Sequence, residues 1–564
     1  MKSQNSQNKT LLSLAGLVLS SMVYAAPDAG SILQNIERDR KPAAPATSSP
    51  QLSAPQETKP KSQSEATLVV KKFNISGNTL LTAAELEAAI ESYRGRSLTI
   101  AELQQAADAI VQYYLDRGYL VRTILPKQDA TEGEVRIQVI ESSFSGSEVD
   151  GKAAGKRISE ARLKNTVNAQ IKPGEPLSLK KIERALMIAD DLPGVNVTGR
   201  LVAGQSDLST GVLLNVSDEP LIYGEASVDN YGSFSTGPVR YTLNGTMSGT
   251  LKMGDQVSLY ALKTEGIDFG RLGFSLPAGY DGWRLGINAS YMQYKVIEGA
   301  AATGTSVVFG LDSNYPIFRS RPNNLYFVAN LDQKFFDNID AVGATTTHYQ
   351  SVVFSTGFNG SMTDKILPGG MTSGNLMLSL GKINLDGSPN QADDRSTVNA
   401  QGEFQKLKYA ITHTQNIVEG LVGYISYSGQ FASKNMDSSE KFFLGGPIGV
   451  RAYPNNEGGG SEGQLLTLEL RKNLPFDLVL TAFYDQGQVT VNKNNNFAGA
   501  ASPNEMTYKG SGLQLAWYGP KNLNLKAAWA RRIGDNPYPV PATGDDQDGT
   551  KKMDRFWLSA SIPF

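Results

Sequence analysis

Two short motifs near the end of the chain carry residues able to do electrostatic work. Arg451 stands in the glycine-rich run Gly445-Gly446-Pro447-Ile448-Gly449-Val450-Arg451-Ala452-Tyr453. One hairpin later, Asp485 stands in Phe483-Tyr484-Asp485-Gln486-Gly487. A cation in a flexible loop and a carboxylate on a strand suit an ion pair that pins the loop. At about 4 Å such a pair gains roughly 1 kcal/mol in water and roughly 4 kcal/mol at an effective dielectric of about 20, enough to hold a loop that still moves. Catalysis is a poorer fit, because no nucleophile or metal set accompanies the two motifs. The histidines, His348 and His413, are far apart and share no helical motif. Gly459-Gly460-Ser461-Glu462-Gly463 matches Gly-x-Ser-x-Gly in form. That motif needs a strand before it and a helix after it, whereas here a glycine-rich loop leads into a strand. There is no phosphate-binding loop of the Gly-x-x-x-x-Gly-Lys-Ser/Thr kind, so no nucleotide is expected to drive the protein. The expectation is a non-enzyme with no cofactor and no metal.

The elements around the motifs read as strands. From Leu221 to Phe564, segments of about ten residues alternate with period 2. Leu272, Phe274 and Leu276 share a face, as do Leu285, Ile287, Ala289 and Tyr291. Leu466, Leu468 and Leu470 alternate with Thr467, Glu469 and Arg471, and Leu523, Leu525, Ala527 and Trp529 alternate with Asn524, Lys526 and Ala528. Apolar-out and polar-in alternation, with Trp and Tyr at segment ends, predicts a transmembrane antiparallel β-barrel over residues 220–564. A strand with half of each connection takes about 20 residues or a little more, so the segment predicts roughly 14 to 18 strands, even in number. If Leu478, Leu480, Ala482 and Tyr484 face lipid, then Thr481, Phe483 and Asp485 face the lumen. The last strand places Phe556, Leu558, Ala560, Ile562 and Phe564 on one face, and the terminal Phe564 reads as an assembly signal.

The rest of the chain fits export. Lys2 and Lys9 precede an apolar stretch from Leu11 to Val23 and a small-residue site, so residues 1–25 are expected to be a signal peptide. That stretch is about 13 residues, short of the roughly 20 a spanning helix needs. The net charge of −2 gives no electrostatic case for nucleic acid, and the absence of cysteine excludes disulfide and thiol chemistry. Residues 26–42 predict a short helix capped by Ser31 or Asp28, with Ile32, Leu33 and Ile36 on one face. Residues 43–66, rich in Pro, Ala, Ser, Gln and Lys, predict a flexible linker. Residues 67–142 and 143–219 then repeat one order, β-α-α-β-β. In the first module Thr82-Ala83-Ala84-Glu85 and Thr99-Ile100-Ala101-Glu102 are capping-box matches. A three-stranded sheet under two helices leaves an edge strand free to accept an extended peptide.

With these residues in place the chain resembles the outer-membrane transporters of two-partner secretion (the TpsB family), within the superfamily that includes the Bam assembly barrel. The resemblance covers the Pro27–Arg40 helix, the linker, two polypeptide-transport-associated (POTRA) modules and the barrel, whose opening strand is Ala226–Gly232. It implies a 16-stranded barrel and a resting plug made by the N-terminal helix, including Ser31, Ile32, Leu33 and Ile36. It implies that a Val-Arg-Gly-aromatic loop, here Val450-Arg451-Ala452-Tyr453, folds into the lumen. Its partner there is a wall motif read as Phe483, Asp485 and Gly487. Ala452 departs from the usual glycine, and a Cβ is uncomfortable at positive φ, so the turn at the tip is expected to differ slightly. The resemblance further implies residence in a Gram-negative outer membrane, with the POTRA modules in the periplasm. The implied work is export of a large secreted passenger, bound as an unfolded chain, after insertion into outer-membrane lipid by the assembly machinery. A barrel-assembly insertase is the alternative; such proteins usually carry more POTRA modules and lack the plug helix.

Overall fold

In the computed structural model, the residues described are 27–40, 52–53, 67–151, 155–204, 206, 208–299, 301–340, 345–364, 369–540 and 543–564. The expected signal peptide and most of the expected linker lie outside them.

The helix α1 spans Ala29–Asp39. Asp28 is its N-cap and accepts the Ser31 amide, while the Ser31 hydroxyl accepts the Asp28 amide in return. This reciprocal pairing satisfies amides that the first turn leaves open. The linker contributes a two-residue strand, β1 (Leu52–Ser53).

The first small module comprises β2 (Thr67–Val69), β3 (Lys72–Ser76), α2 (Ala83–Ala89), β4 (Ser97–Thr99), α3 (Ile100–Asp116), β5 (Val121–Ile124) and β6 (Glu134–Glu141). Thr82–Glu85 and Thr99–Glu102 form full capping boxes. Gly118, at a φ of 87°, takes the left-handed conformation after α3. Leu86, Ile110 and Tyr114 pack on Val135, Ile137 and Val139 of the sheet, which is ordered β3-β6-β5. The opening strand of the module is split in two, and its first part, β2, pairs with β4 and takes no part in that sheet.

The second module comprises β7 (Ser143–Val149), α4 (Glu160–Gln170), α5 (Leu179–Asp190), β8 (Val195–Ala203) and β9 (Ser209–Asp218). Its sheet is ordered β1-β8-β9-β7, so one edge is occupied by Leu52 and Ser53, which pair in parallel with Gly199 and Arg200. The two modules are tied by main-chain bonds, Leu179 N to Gly118 O at 2.7 Å and Leu120 N to Leu177 O at 3.3 Å.

A closed antiparallel barrel of sixteen strands follows. It opens with β10 (Ile222–Asp229), β11 (Arg240–Ser248), β12 (Gln256–Lys263), β13 (Ile267–Ala278) and β14 (Trp283–Lys295). Next come β15 (Ala302–Arg319), β16 (Asn323–Asp340), β17 (Thr345–Thr363), β18 (Met371–Asn384), β19 (Gly402–Val418) and β20 (Leu421–Ala432). After a long loop holding the small pair β21 (Phe442–Phe443) and β22 (Gly459–Gly460), the wall ends with β23 (Glu462–Leu474), β24 (Leu478–Thr490), β25 (Glu505–Tyr518), β26 (Asn524–Arg532) and β27 (Asp554–Pro563). Several strands far exceed the expected ten residues; β15, β16 and β17 have 18, 18 and 19, more than a bilayer core requires. The seam between β10 and β27 is short, from Glu225–Pro563 to Asp229–Ser559, whereas β16 and β17 pair from Asn323–Met362 to Asp340–Thr345. Asn230 extends the seam with its side chain, donating to Phe556 O at 2.9 Å and accepting from Leu558 N at 2.7 Å.

The second module docks on the strand ends where β15 turns into β16. Arg319 donates to both carboxylate oxygens of Asp191, at 2.8 and 2.7 Å, and Arg184 donates to Pro316 O and Ile317 O at 2.6 and 3.2 Å. Next to them, Ser159 N donates to Lys252 O at 3.1 Å. These contacts mark the rim of the barrel on which the modules sit. The helix α1 lies inside the barrel toward the opposite rim, since its partners Asn338 and Arg240 sit at the far ends of β16 and β11.

Candidate functional site

The period-2 pleat of β24 decides what its motif can reach. Thr481, Phe483 and Asp485 are buried in the lumen, whereas Leu480 and Ala482 are exposed on the outer face. The loop after β20 folds back into the barrel and brings Arg451 to this wall. A tight turn at its tip, Gly449 N to Gly446 O at 3.0 Å and Val450 N to Leu444 O at 2.7 Å, aims the guanidinium.

Arg451 donates through Nε and Nη2 to the two oxygens of Asp485, each at 2.8 Å, and its amide also donates to Asp485 at 3.1 Å. Its Nη1 donates to Glu469 at 2.8 Å, and its guanidinium carbon lies 3.5 Å from the centre of the Phe483 ring. Thr467 supplies a further donor to Asp485 at 3.1 Å. Arg451 is 6% exposed and Asp485 not at all. The planar fork is matched bidentately and stacked on an aromatic face, a geometry that a lysine does not reproduce. Gly487 lies where Leu444 packs, and a Cβ there would meet the leucine side chain. Val450 and Tyr453 are buried, and Tyr453 stacks edge-on against Tyr508 with centroids 4.9 Å apart.

Ala452 is not among the residues with positive φ, so its Cβ meets no backbone strain. Its methyl group faces Gly510 of β25, where a Cβ would stand 2.5 Å away. The bulk missing at Gly510 is present at Ala452. The alternation placed Glu469 in the lumen but did not name it as a partner of Arg451. Trp557 of β27 was missed altogether; its Nε1 donates to Arg451 O at 2.7 Å and its ring meets Tyr231 edge-on at 5.8 Å. The loop tip is thereby tied to β27, one of the two strands of the seam.

The helix α1 fills the space beside this loop. Ile32, Leu33 and Ile36 are buried against Leu262, Phe269, Met292, Tyr294, Phe336 and Tyr349 of the wall, which is worth roughly 1.5–3 kcal/mol per side chain. Ion pairs hold its last turn: Arg271 to Glu37 at 2.8 Å, and Arg240 to Asp39 at 2.6 Å, with Arg240 also on Asp229 at 2.8 Å. Arg38 donates to Phe443 O of the loop at 3.1 Å, and Asn35 donates to Asn456. At the other end Asp28 accepts from Ser438 at 2.7 Å, beside Asp437 and Tyr349, whose hydroxyl donates to Asp437 at 3.2 Å. Phe564, just past the end of β27, is 55% exposed, and its main chain exchanges two 3.0 Å bonds with Gly224.

Burial and, after it, the Asp28 carboxylate push Asp437 up to about 6, with Glu440 adding to the same effect. A carboxyl raised above its ordinary value of about 3.9 takes up a proton on docking. Seating of α1 is therefore favoured at low pH and weakens as pH rises through about 6. Conductance of the full-length protein in planar bilayers should fall between pH 7.5 and pH 5; a flat profile would remove Asp437 from the seat.

The family described as haemolysin secretion/activation protein ShlB/FhaC/HecB matches residues 208–504, and the ShlB-type POTRA domain matches residues 68–142. The chain belongs to this family. It is an outer-membrane transporter of two-partner secretion, a barrel with periplasmic POTRA modules that translocates a partner exoprotein. The heme/hemopexin transporter protein HuxB of Haemophilus influenzae is 26% identical over 534 residues, covering 91% of this chain and 93% of that protein. The outer membrane transporter CdiB of Dickeya dadantii is 23% identical over 71% and 72% of the two chains. Among solved structures, CdiB from Escherichia coli superposes with a TM-score of 0.69 at 18% identity, over 96% of this chain and 100% of that one. BamA from Haemophilus ducreyi lacking POTRA domains 1–3 reaches 0.51 at 17% identity, over 88% and 100%, a likeness of fold.

Proposed function

We propose that the chain is a self-plugged conduit for one large secreted polypeptide, captured unfolded in the periplasm and released at the surface without nucleotide hydrolysis. The observation that carries this reading is α1 seated inside a closed barrel whose rim bears two small α/β modules. In the resting state α1 and the Arg451 loop occupy the lumen together. The modules offer sheet edges for an extended passenger: β3 and β5 in the first, β7 in the second. The remaining edge, β8, already carries a strand from the linker, so a passenger strand there would have to displace Leu52 and Ser53. Withdrawal of α1 opens the path, and folding of the passenger outside gives direction. The bidentate Arg451–Asp485 contact anchors the loop as a wall of that path. No catalytic chemistry is assigned to the chain. Phe564, on the outward face of the last strand, is the proposed handle for the assembly machinery that places the barrel in outer-membrane lipid. The seated plug favours this reading over an insertase.

The test is deletion of the gene in its host. One large polypeptide should accumulate in the periplasm while other barrels insert normally. Normal export, or a general loss of outer-membrane barrels, would overturn the reading. Passenger candidates span adhesins, haemolysins, contact-dependent toxins and haem-acquisition proteins.

A further inference from the structure

The lumen loop has an arm below its tip, Asp437 to Phe443, and the plug touches that arm along its whole length. Ser438 Oγ donates to Asp28, Gln34 Nε2 donates to Lys441 O at 3.2 Å, and Arg38 Nη1 donates to Phe443 O at 3.1 Å. At Gly30 the fit is closest, since an added Cβ would lie 2.7 Å from Ser438 Oγ and 2.9 Å from Ser439 N. The plug is thus seated on the loop as much as on the wall.

That arm has its own attachment. Glu440, 1% exposed, receives Lys334 of β16 at 2.7 Å and Lys406 of β19 on its two carboxylate oxygens. Its carbonyl accepts Gln430 Nε2 of β20 at 2.9 Å. The strands of the two lysines, β16 and β19, pair with neither β23 nor β24, which hold the Arg451 tip; β20, which carries Gln430, borders β23. One buried carboxylate serves two ammonium groups, buried Lys406 and half-buried Lys334, so its charge keeps two like charges together. Neutralising it leaves Lys406 uncompensated and Lys334 with only Asp332 and Glu37, and the arm loses its strongest attachment.

We propose that Glu440, with Lys334 and Lys406, is a second anchor of the lumen loop, separate from Arg451, and that it positions the seat of the plug. The proposal rests on the reading of α1 as the plug. Glu440 is a positioning residue: it acts on α1 through Asp437, Ser438 and Lys441. Release of this anchor frees the plug while the Arg451 tip stays on Asp485. The device has two independent pins, one for the plug seat and one for the tip.

The chain has no cysteine, so single reporters are unambiguous. Leu33→Cys reports the plug and Ala452→Cys reports the tip, both in full-length protein in proteoliposomes, labelled with a hydrophilic maleimide. Glu440→Gln should speed labelling at Leu33→Cys at least tenfold and raise conductance, with labelling at Ala452→Cys unchanged. Equal acceleration at both reporters means a single lock and overturns the proposal, as does no acceleration at the plug. Lys334→Gln, a milder change, should give an intermediate acceleration at the plug alone, and it serves if Glu440→Gln does not assemble. Deleting residues 27–40 separates the underlying reading. If deletion leaves conductance unchanged, α1 is not the plug and both ideas fall. If deletion raises conductance and neither anchor variant does, only the second anchor falls.

Discussion

Asp485→Ala is expected to abolish secretion of the partner while the barrel still reaches the outer membrane. The substitution leaves the buried Arg451 with Glu469 alone and removes three of its hydrogen bonds. Breaking one side of a buried ion pair typically costs about 3–5 kcal/mol, which corresponds to a shift in the anchored population of roughly 10²-fold to several thousandfold. Arg451→Ala should match it. Arg451→Lys is the sharper comparison. A lysine keeps the charge but not the fork, so it cannot serve both Asp485 oxygens and Glu469 together, and it gives up the stacking on Phe483. Secretion by Arg451→Lys is expected to fall nearly as far as with alanine. The measurement is passenger in the culture medium, with heat-modifiable migration of the barrel as the control. Wild-type secretion by Asp485→Ala would show the contact to be a brace that transport does not need.

The second large effect is expected at Gly30. A methyl group there collides with Ser438, with the Tyr349 hydroxyl and, at 2.9 Å, with the Ser439 amide. The two side-chain ends can move, but the main-chain amide cannot without shifting the arm. Alanine is about 1 kcal/mol better than glycine within a helix, so Gly30→Ala strengthens the helix while removing its seat. Conductance should rise toward the level produced by deleting residues 27–40, and Gly30→Leu should reach it. A closed channel in both variants would refute a plug seated on the loop. The pair of variants separates docking from helix formation, which a deletion alone cannot do.

The barrel was legible in the sequence because its period is local. The alternation at Leu272–Leu276 and Leu466–Arg471 reports which face each residue takes, and sixteen strands fall within the range set by segment length. The capping boxes at Thr82 and Thr99 were legible for the same reason, since each needs only four residues. The wall motif also followed from alternation, which turned Asp485 inward. What the lumen holds was harder to read, because its contacts join residues from tens to hundreds of positions apart. Ser438 meets Asp28, and Trp557 meets the Arg451 carbonyl. Period 2 says that Lys406 points inward but not which loop it will meet there. The strand formed by Leu52 and Ser53 is of the same kind, a polar linker segment given order by an edge that no local pattern reveals.

The docking of the second module on the barrel has a mechanical consequence. Arg319 grips Asp191 and Arg184 grips two carbonyls of the strand end beside it, while main-chain bonds weld the first module to the second. A strut fixed at both joints transmits torque instead of absorbing it. A passenger tugging on the outermost module therefore loads the turn between β15 and β16, at the foot of the wall that carries Lys334. The periplasmic arm works as a crank handle, and the parts with freedom to yield are the two pinned pieces inside the cylinder.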